Sequence, residues 1–266
     1  MECLKLEGQC TLADLNLNIK DILDFSWCPK YYELKNKNPN ERNLKEAYDI
    51  AIHKCFYSYL LALQNDTLEG IKTLKYRWGK EWIKQKTNSE IICTPSALKR
   101  DTYDAKRKAG IEAIITFDKL MSVSQYPILI NKEYSIRVSD DVILTGTWEY
   151  VREIEIDNKK VIQLMKFRTE NNRFQVLSQM NHDLELTAAA MAFGKMFNMN
   201  ELEFQLVYVD IYKKKMITSY RTKKDFELLK ETAISVAKCI RNNINCISPD
   251  KKCYHCEYRD ICSSSL

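Results

Sequence analysis

Residues 142–170 read VILTGTWEYVREIEIDNKKVIQLMKFRTE, and this stretch decides the fold. Two runs rich in β-branched and aromatic residues alternate at period two on either side of Asp157-Asn158, a pair that tolerates left-handed backbone. The stretch is therefore a β-hairpin. Upstream, INKEYSIRV at 130–138 extends the meander; downstream, EFQLVYVDIY at 203–212 and KKMITSYRT at 214–222 supply further strands. A helix is expected at about 178–196 and another from Lys224 to about Asn243.

The residues before the meander are helical in pattern. In LNIKDILDFSWCPKYYEL, Asn18 and Asp21 form a capping pair, Ile22, Leu23 and Phe25 are set to be buried, and Cys28-Pro29 ends the helix. Leu44, Ala47, Tyr48, Ala51, Ile52, Cys55, Phe56, Tyr59 and Leu63 keep the 3.6-residue period, which predicts a helix over Asn43 to Leu63. Two more are expected near 67–86 and 97–121. The sum is a mixed α/β fold, expected as one domain over 1–266 with a helical part (18–125), a sheet core (126–222) and a C-terminal helix and cysteine segment (223–266).

With 266 residues, 45% of them apolar, the chain can bury a sizeable core. The opening MECLKLEGQCTL has no basic segment followed by a long apolar one, and nowhere do eighteen apolar residues run together. A cytoplasmic protein without membrane contact is the expectation. Net charge is +5, with basic and acidic residues interleaved, which permits a polyanionic partner without requiring one. KYRWGKEWIK at 75–84 and ALKRDTYDAKRKAG at 97–110 mix cations with aromatics; each is either a solvated helix face or a contact for phosphates and unstacked bases.

Ten cysteines in such a chain argue for free thiols or metal ligation rather than a disulfide framework. Cys3, Cys10, Cys55, Cys93, Cys239 and Cys246 are scattered without ligand spacing, and most of them read as small buried hydrophobes. CYHCEYRDIC at 253–262 is different, because Cys253, Cys256 and Cys262 have the spacing C-x2-C-x5-C. A tetrahedral thiolate site needs a fourth ligand, and Cys28 in FSWCPKYY is the natural one. Spacing leaves zinc, with or without His255, and an iron–sulfur cluster both open.

These features resemble the RecB-like nucleases of the PD-(D/E)XK superfamily that carry an iron–sulfur staple, a group that includes the exonuclease of CRISPR adaptation and the nuclease domain of AddB. The resemblance rests on CPKYY followed by the terminal C-x2-C-x5-C and spans Ile19 to Cys262. It implies a restriction-endonuclease-like core, a central mixed sheet flanked by helices. It also implies a structural [4Fe–4S] cluster on Cys28, Cys253, Cys256 and Cys262, and DNA, single-stranded or at duplex ends, as partner.

The same resemblance places the catalytic positions. His53, in DIAIHKCFYSYL, stands at the family's histidine, with Asp49 where its glycine usually lies; Gly146 matches a glycine, Glu149 replaces an aspartate, and Lys166 matches the lysine. His53 and Glu149 would be the ligands of Mg²⁺ or Mn²⁺. Leu164 stands where an acidic ligand is expected, which leaves Lys166 without its neighbouring carboxylate; Glu185 and Ala189 replace a glutamine and a tyrosine. Two main readings follow. One is a degenerate nuclease fold that binds DNA or a protein partner; the other is an active Mg²⁺/Mn²⁺-dependent DNA exonuclease completed by Asp140, Asp141 or Glu170. A zinc-stabilised interaction scaffold is the third.

Overall fold

Helix α1 (Ile19–Trp27) begins where the sequence places it: the Asn18 side chain accepts from Lys20 N at 3.0 Å and Asp21 accepts from Asn18 N at 2.9 Å. In this computed structural model it stops at Cys28, whose φ of −166° is extended, and Pro29 opens a second helix, α2 (Pro29–Lys37). The restart escaped the sequence reading, although proline suits a first helical position because the N–H it lacks would have no partner there. The structure describes residues 14–38, 41–67, 70–88, 90–92, 103–121, 126–169, 183–200, 203–249 and 251–262.

Short strand β1 (Leu15–Asn18) precedes α1. After α2 come β2 (Glu41–Asn43), α3 (Leu44–Gln64), α4 (Ile71–Asn88) and β3 (Glu90–Ile92), with β2 and β3 paired in parallel. Then follow α5 (Tyr103–Met121), β4 (Tyr126–Ser139), β5 (Val142–Ile156), β6 (Lys159–Arg168), α6 (Leu184–Phe197), β7 (Phe204–Asp210), β8 (Lys215–Ser219) and α7 (Lys223–Arg241). Asp157 and Asn158, at φ 50° and 61°, make the expected left-handed turn between β5 and β6. The predicted beginnings of α5 and α6, at 97–102 and 178–182, lie outside the described residues.

The expected mixed sheet flanked by helices is present. It has six strands, and β5 is its organiser: β4 runs antiparallel along one edge, while the other edge is shared by β1, parallel at residues 142–145, and β6, antiparallel at residues 150–156. Residues 146–149 lie between those two partners. β7 continues in parallel from β6, and β8 pairs antiparallel with β7.

One apolar cluster joins this sheet to α1, α6 and α7 through Ile22, Leu144, Leu164, Ala190, Phe193 and Ala233. A second, on α3, α4 and α5, packs Ile52, Phe56, Trp78, Trp82 and Phe117 against Tyr150, Met165 and Phe167. Phe56 stacks on Phe117 at 3.9 Å, with Phe167 set edge-on to both, an arrangement that suits aromatic quadrupoles.

Candidate active site

The fork in β5 opens a cleft of about 820 Å³ lined by His53, Tyr57, Tyr134, Glu149, Lys166 and Asp183, among others. Side-chain alternation slips at this point: Trp148 belongs to the first apolar cluster and Tyr150 to the second. Between the cross-strand pairs Lys132–Trp148 and Ile130–Tyr150, Asn131 takes a left-handed φ of 47°. The β5–β6 ladder ends at Tyr150–Met165, and Glu149 bridges the splayed strands by accepting from the Phe167 N–H at 2.7 Å. Burial holds the Glu149 carboxyl above the usual glutamate range despite the nearby His53 and Lys166.

His53 reaches the cleft from α3. Its Nδ1 lies 2.8 Å from the Asp49 carbonyl, which only accepts, so Nδ1 carries a proton and Nε2 is the nitrogen turned toward Glu149. Nε2 is buried with no hydrogen-bond partner and sits 3.8 Å from Glu149 Oε2. Asp49 accepts from the Thr169 hydroxyl at 2.7 Å and so ties α3 to the end of β6. Gly146 has a steric role: a Cβ there would fall 2.3 Å from the Tyr134 hydroxyl, which leans over it.

Leu164 lies where the sequence puts it, on the wall shared with Lys166, but is only 1% exposed and packed in the first apolar cluster. Lys166 is not bereft of carboxylates, contrary to the sequence expectation. Its Nζ lies 3.0 Å from Asp183 Oδ2 and contacts Glu185 as well. Burial would lower the Lys166 pKa, yet Glu185, Asp183 and Glu149 outweigh it and hold the ammonium well above its usual value. Asp183 is likewise a compromise: burial pushes it up, Lys166 and the Leu186 N–H pull it further down, and it stays below the ordinary aspartate value.

Both partners come from the start of α6. Asp183 is its N-cap and accepts from Leu186 N at 2.8 Å, while Glu185 lies in the first turn. Buried Arg221 secures that start by donating to Thr187 Oγ1 at 2.7 Å and to the Asp183 carbonyl at 3.4 Å. In the sequence these two acids stand one residue apart, in DLE, after the lysine strand, and that spacing is the signal for a source of charge there. The acids proposed from sequence are elsewhere. Asp141 pairs with Arg241, the Asp140 carbonyl accepts from Arg137 at 2.7 Å, and neither lines the cleft; Glu170 lies outside the described residues.

At the chain's other candidate site, Cys28 is 8% exposed at the start of α2, and Tyr31, one turn on, donates to Glu257 at 3.0 Å and packs on Tyr258 at 5.5 Å. The CPKYY segment and the terminal cysteine segment therefore meet. The latter is tightly turned, with Cys256 N on the Cys253 carbonyl at 3.3 Å and Cys262 N on the Tyr258 carbonyl at 2.9 Å. Burial pushes the Cys256 thiol up to about 11, with Glu257, Cys253 and Cys262 adding to the rise. Among the described residues, no three His, Cys, Asp or Glu side chains stand together at metal-holding distance. Of the scattered cysteines, Cys55 is buried, Cys239 partly buried and Cys246 exposed, while Cys3, Cys10 and Cys93 lie outside the described residues.

The family model of the PD-(D/E)XK nuclease superfamily matches residues 24–263, nearly the whole chain and β4 to β8 of the sheet that carries the cleft. The chain belongs to the PD-(D/E)XK nuclease superfamily. Its resemblance to solved structures is more distant: the crystal structure of SSO0001 is similar with a TM-score of 0.42 and 11% identity, over 94% of this chain and 87% of that one. No curated protein matches it. Among the described residues no helix is long and apolar enough to cross a membrane.

Proposed function

We propose that this chain is a RecB-like member of the superfamily that binds DNA, single-stranded or at duplex ends, and serves a structural or partner-binding role in DNA processing with a degenerate nuclease site. One observation carries the reading: the position facing Lys166 on its own strand is a buried leucine, and the lysine ammonium is taken up by Asp183 and Glu185. Lys166 then acts as the resident cation of an acidic cleft. Its charge offsets carboxylates that would otherwise attract a divalent ion.

His53 Nε2, a buried ring nitrogen with no hydrogen-bond partner beside Glu149, suits a first-row or alkaline-earth cation once deprotonated, and these two residues would hold it. Bound Mg²⁺ or Mn²⁺ would supply a polarised phosphoryl oxygen and a more acidic water. Two protein ligands are few for Mg²⁺ in competition with water. The alternative, an active metal-dependent exonuclease, draws on Glu185, which lies close enough to bias the Glu149 carboxyl electrostatically.

For the cysteine end, the reading is a [4Fe–4S] cluster on Cys28, Cys253, Cys256 and Cys262, stapling α2 to the C-terminal segment, with zinc as the alternative. The Tyr31 contacts to Glu257 and Tyr258 support it by joining the two segments, and closing the site requires the thiols to draw together. Anaerobic protein should contain about four iron and four sulfide per chain and bind labelled DNA with an affinity that falls steeply as salt rises. Stoichiometric zinc without sulfide would overturn the cluster, and absence of DNA binding at low salt would overturn the partner.

A further inference from the structure

Helix α4 carries six basic side chains (Lys72, Lys75, Arg77, Lys80, Lys84 and Lys86) against one acid, Glu81. It alone accounts for the net charge of +5, and the rest of the chain is balanced. None of its residues lines the cleft.

The orientation of the helix is fixed by its inner face. Leu74, Trp78 and Trp82 are buried, Trp78 Nε1 donates to the Arg107 carbonyl at 3.0 Å, and Gly110 admits the Trp78 ring where a Cβ would fall 2.1 Å from it. The opposite face presents Lys72, Tyr76, Gly79, Lys80 and Ile83. Tyr76 is 62% exposed, with the Lys80 ammonium 4.7 Å over its ring. Gly79 sits among them, and a Cβ there would meet nothing within 4 Å, so internal packing does not demand it. A mid-helix glycine costs about 1 kcal/mol relative to alanine. Here it leaves a notch open to close approach from outside.

We propose that the outer face of α4 is a second nucleic-acid contact surface, separate from the cleft. Lys72 and Lys80, with Lys75 exposed on the flank of the helix, meet phosphates, Tyr76 stacks on a base of a single strand, and the Gly79 notch admits the sugar–phosphate backbone. The proposal rests on the DNA-binding reading for the class of partner and on α4 for the place. Charge selects nucleic acid over a lipid surface, because two large exposed apolar side chains among cations bury too little for membrane anchoring.

The test measures binding of labelled mixed-sequence single-stranded and duplex oligonucleotides across a salt series. Wild type is compared with the triple variant Lys72→Gln/Lys75→Gln/Lys80→Gln, its Lys→Arg counterpart, Tyr76→Ala, and a cleft variant, Lys45→Gln/Lys54→Gln. The triple Gln variant should melt like wild type, since the three lysines are exposed. Its log K against log salt slope on single strands should be shallower by about 2, and the Arg version should keep the slope. Tyr76→Ala should weaken single-strand binding about five-fold or more, and duplex binding less. An unchanged slope in the triple Gln variant overturns the proposal. So does loss of binding to phosphatidylserine vesicles with oligonucleotide binding intact. Weakening confined to the cleft variant overturns α4 alone; weakening confined to the α4 variants overturns the cleft as the DNA site and sustains α4.

Discussion

In the cleft His53, Glu149 and Lys166 converge, Leu164 lies beside Lys166 where the proposed reading expects an acid, and the neighbouring carboxylates come from the start of α6. At the cysteine end residue types are kept, with Cys28 and the C-x2-C-x5-C segment, and only the proximity of the two segments is on view. A side chain that must hold a hard cation tolerates few substitutes, whereas a lysine can neutralise carboxylates from any nearby element. On the account proposed, the cleft has exchanged one kind of cation for another, and the staple is what the protein continues to need.

The sharpest way to break this comparison is to remove one thiol. Cys28→Ser should drop iron from about four per chain toward none, with solubility falling alongside; iron retained at the wild-type level would place the fourth ligand elsewhere.

Lys166→Met tests the cleft by leaving Asp183, Glu185 and Glu149 without their resident cation. Since these groups are mostly but not wholly buried, the loss should be about 3 kcal/mol, or roughly 6–12 °C in melting temperature for a chain of this size. An unaltered melting point would show that the ammonium contributes nothing.

Glu149→Gln is the smallest effect and the one with a pH signature. Burial raises the Glu149 pKa above its ordinary 4.5, so ionising it opposes folding at neutral pH. The variant should be the more stable at pH 7, and the gap should close as pH falls through the folded pKa toward 4.5. A gap that widens on acidification would mean that the carboxylate form is the favoured one.

How much of this could be read beforehand follows from the range of the interactions. Hairpin β5–β6, the α1 capping box and the apolar stripe of α3 are local patterns, and each was legible. Four-residue β1 was not, because LNLN has no meaning until Leu15–Asn18 meets residues 142–145. The Glu149 position was legible, but the slip in alternation beside it, opposite the left-handed Asn131, was not, since no local pattern announces it. The ion pairs of Lys166 with Asp183 and Glu185 were missed for a related reason. Motif comparison asks which residue fills each place and not which charge arrives from the next helix.

Cleavage of labelled single- and double-stranded DNA by cluster-loaded wild type, with Mg²⁺ and then Mn²⁺, beside Lys166→Ala and Leu164→Asp, tests the degenerate site most directly. The account predicts no robust cleavage by wild type with Mg²⁺, at most weak cleavage with Mn²⁺, and a gain in Leu164→Asp. Strong wild-type cleavage abolished by Lys166→Ala would contradict it and assign a metal-holding role to a carboxylate of the cleft, with Glu185 the first to substitute.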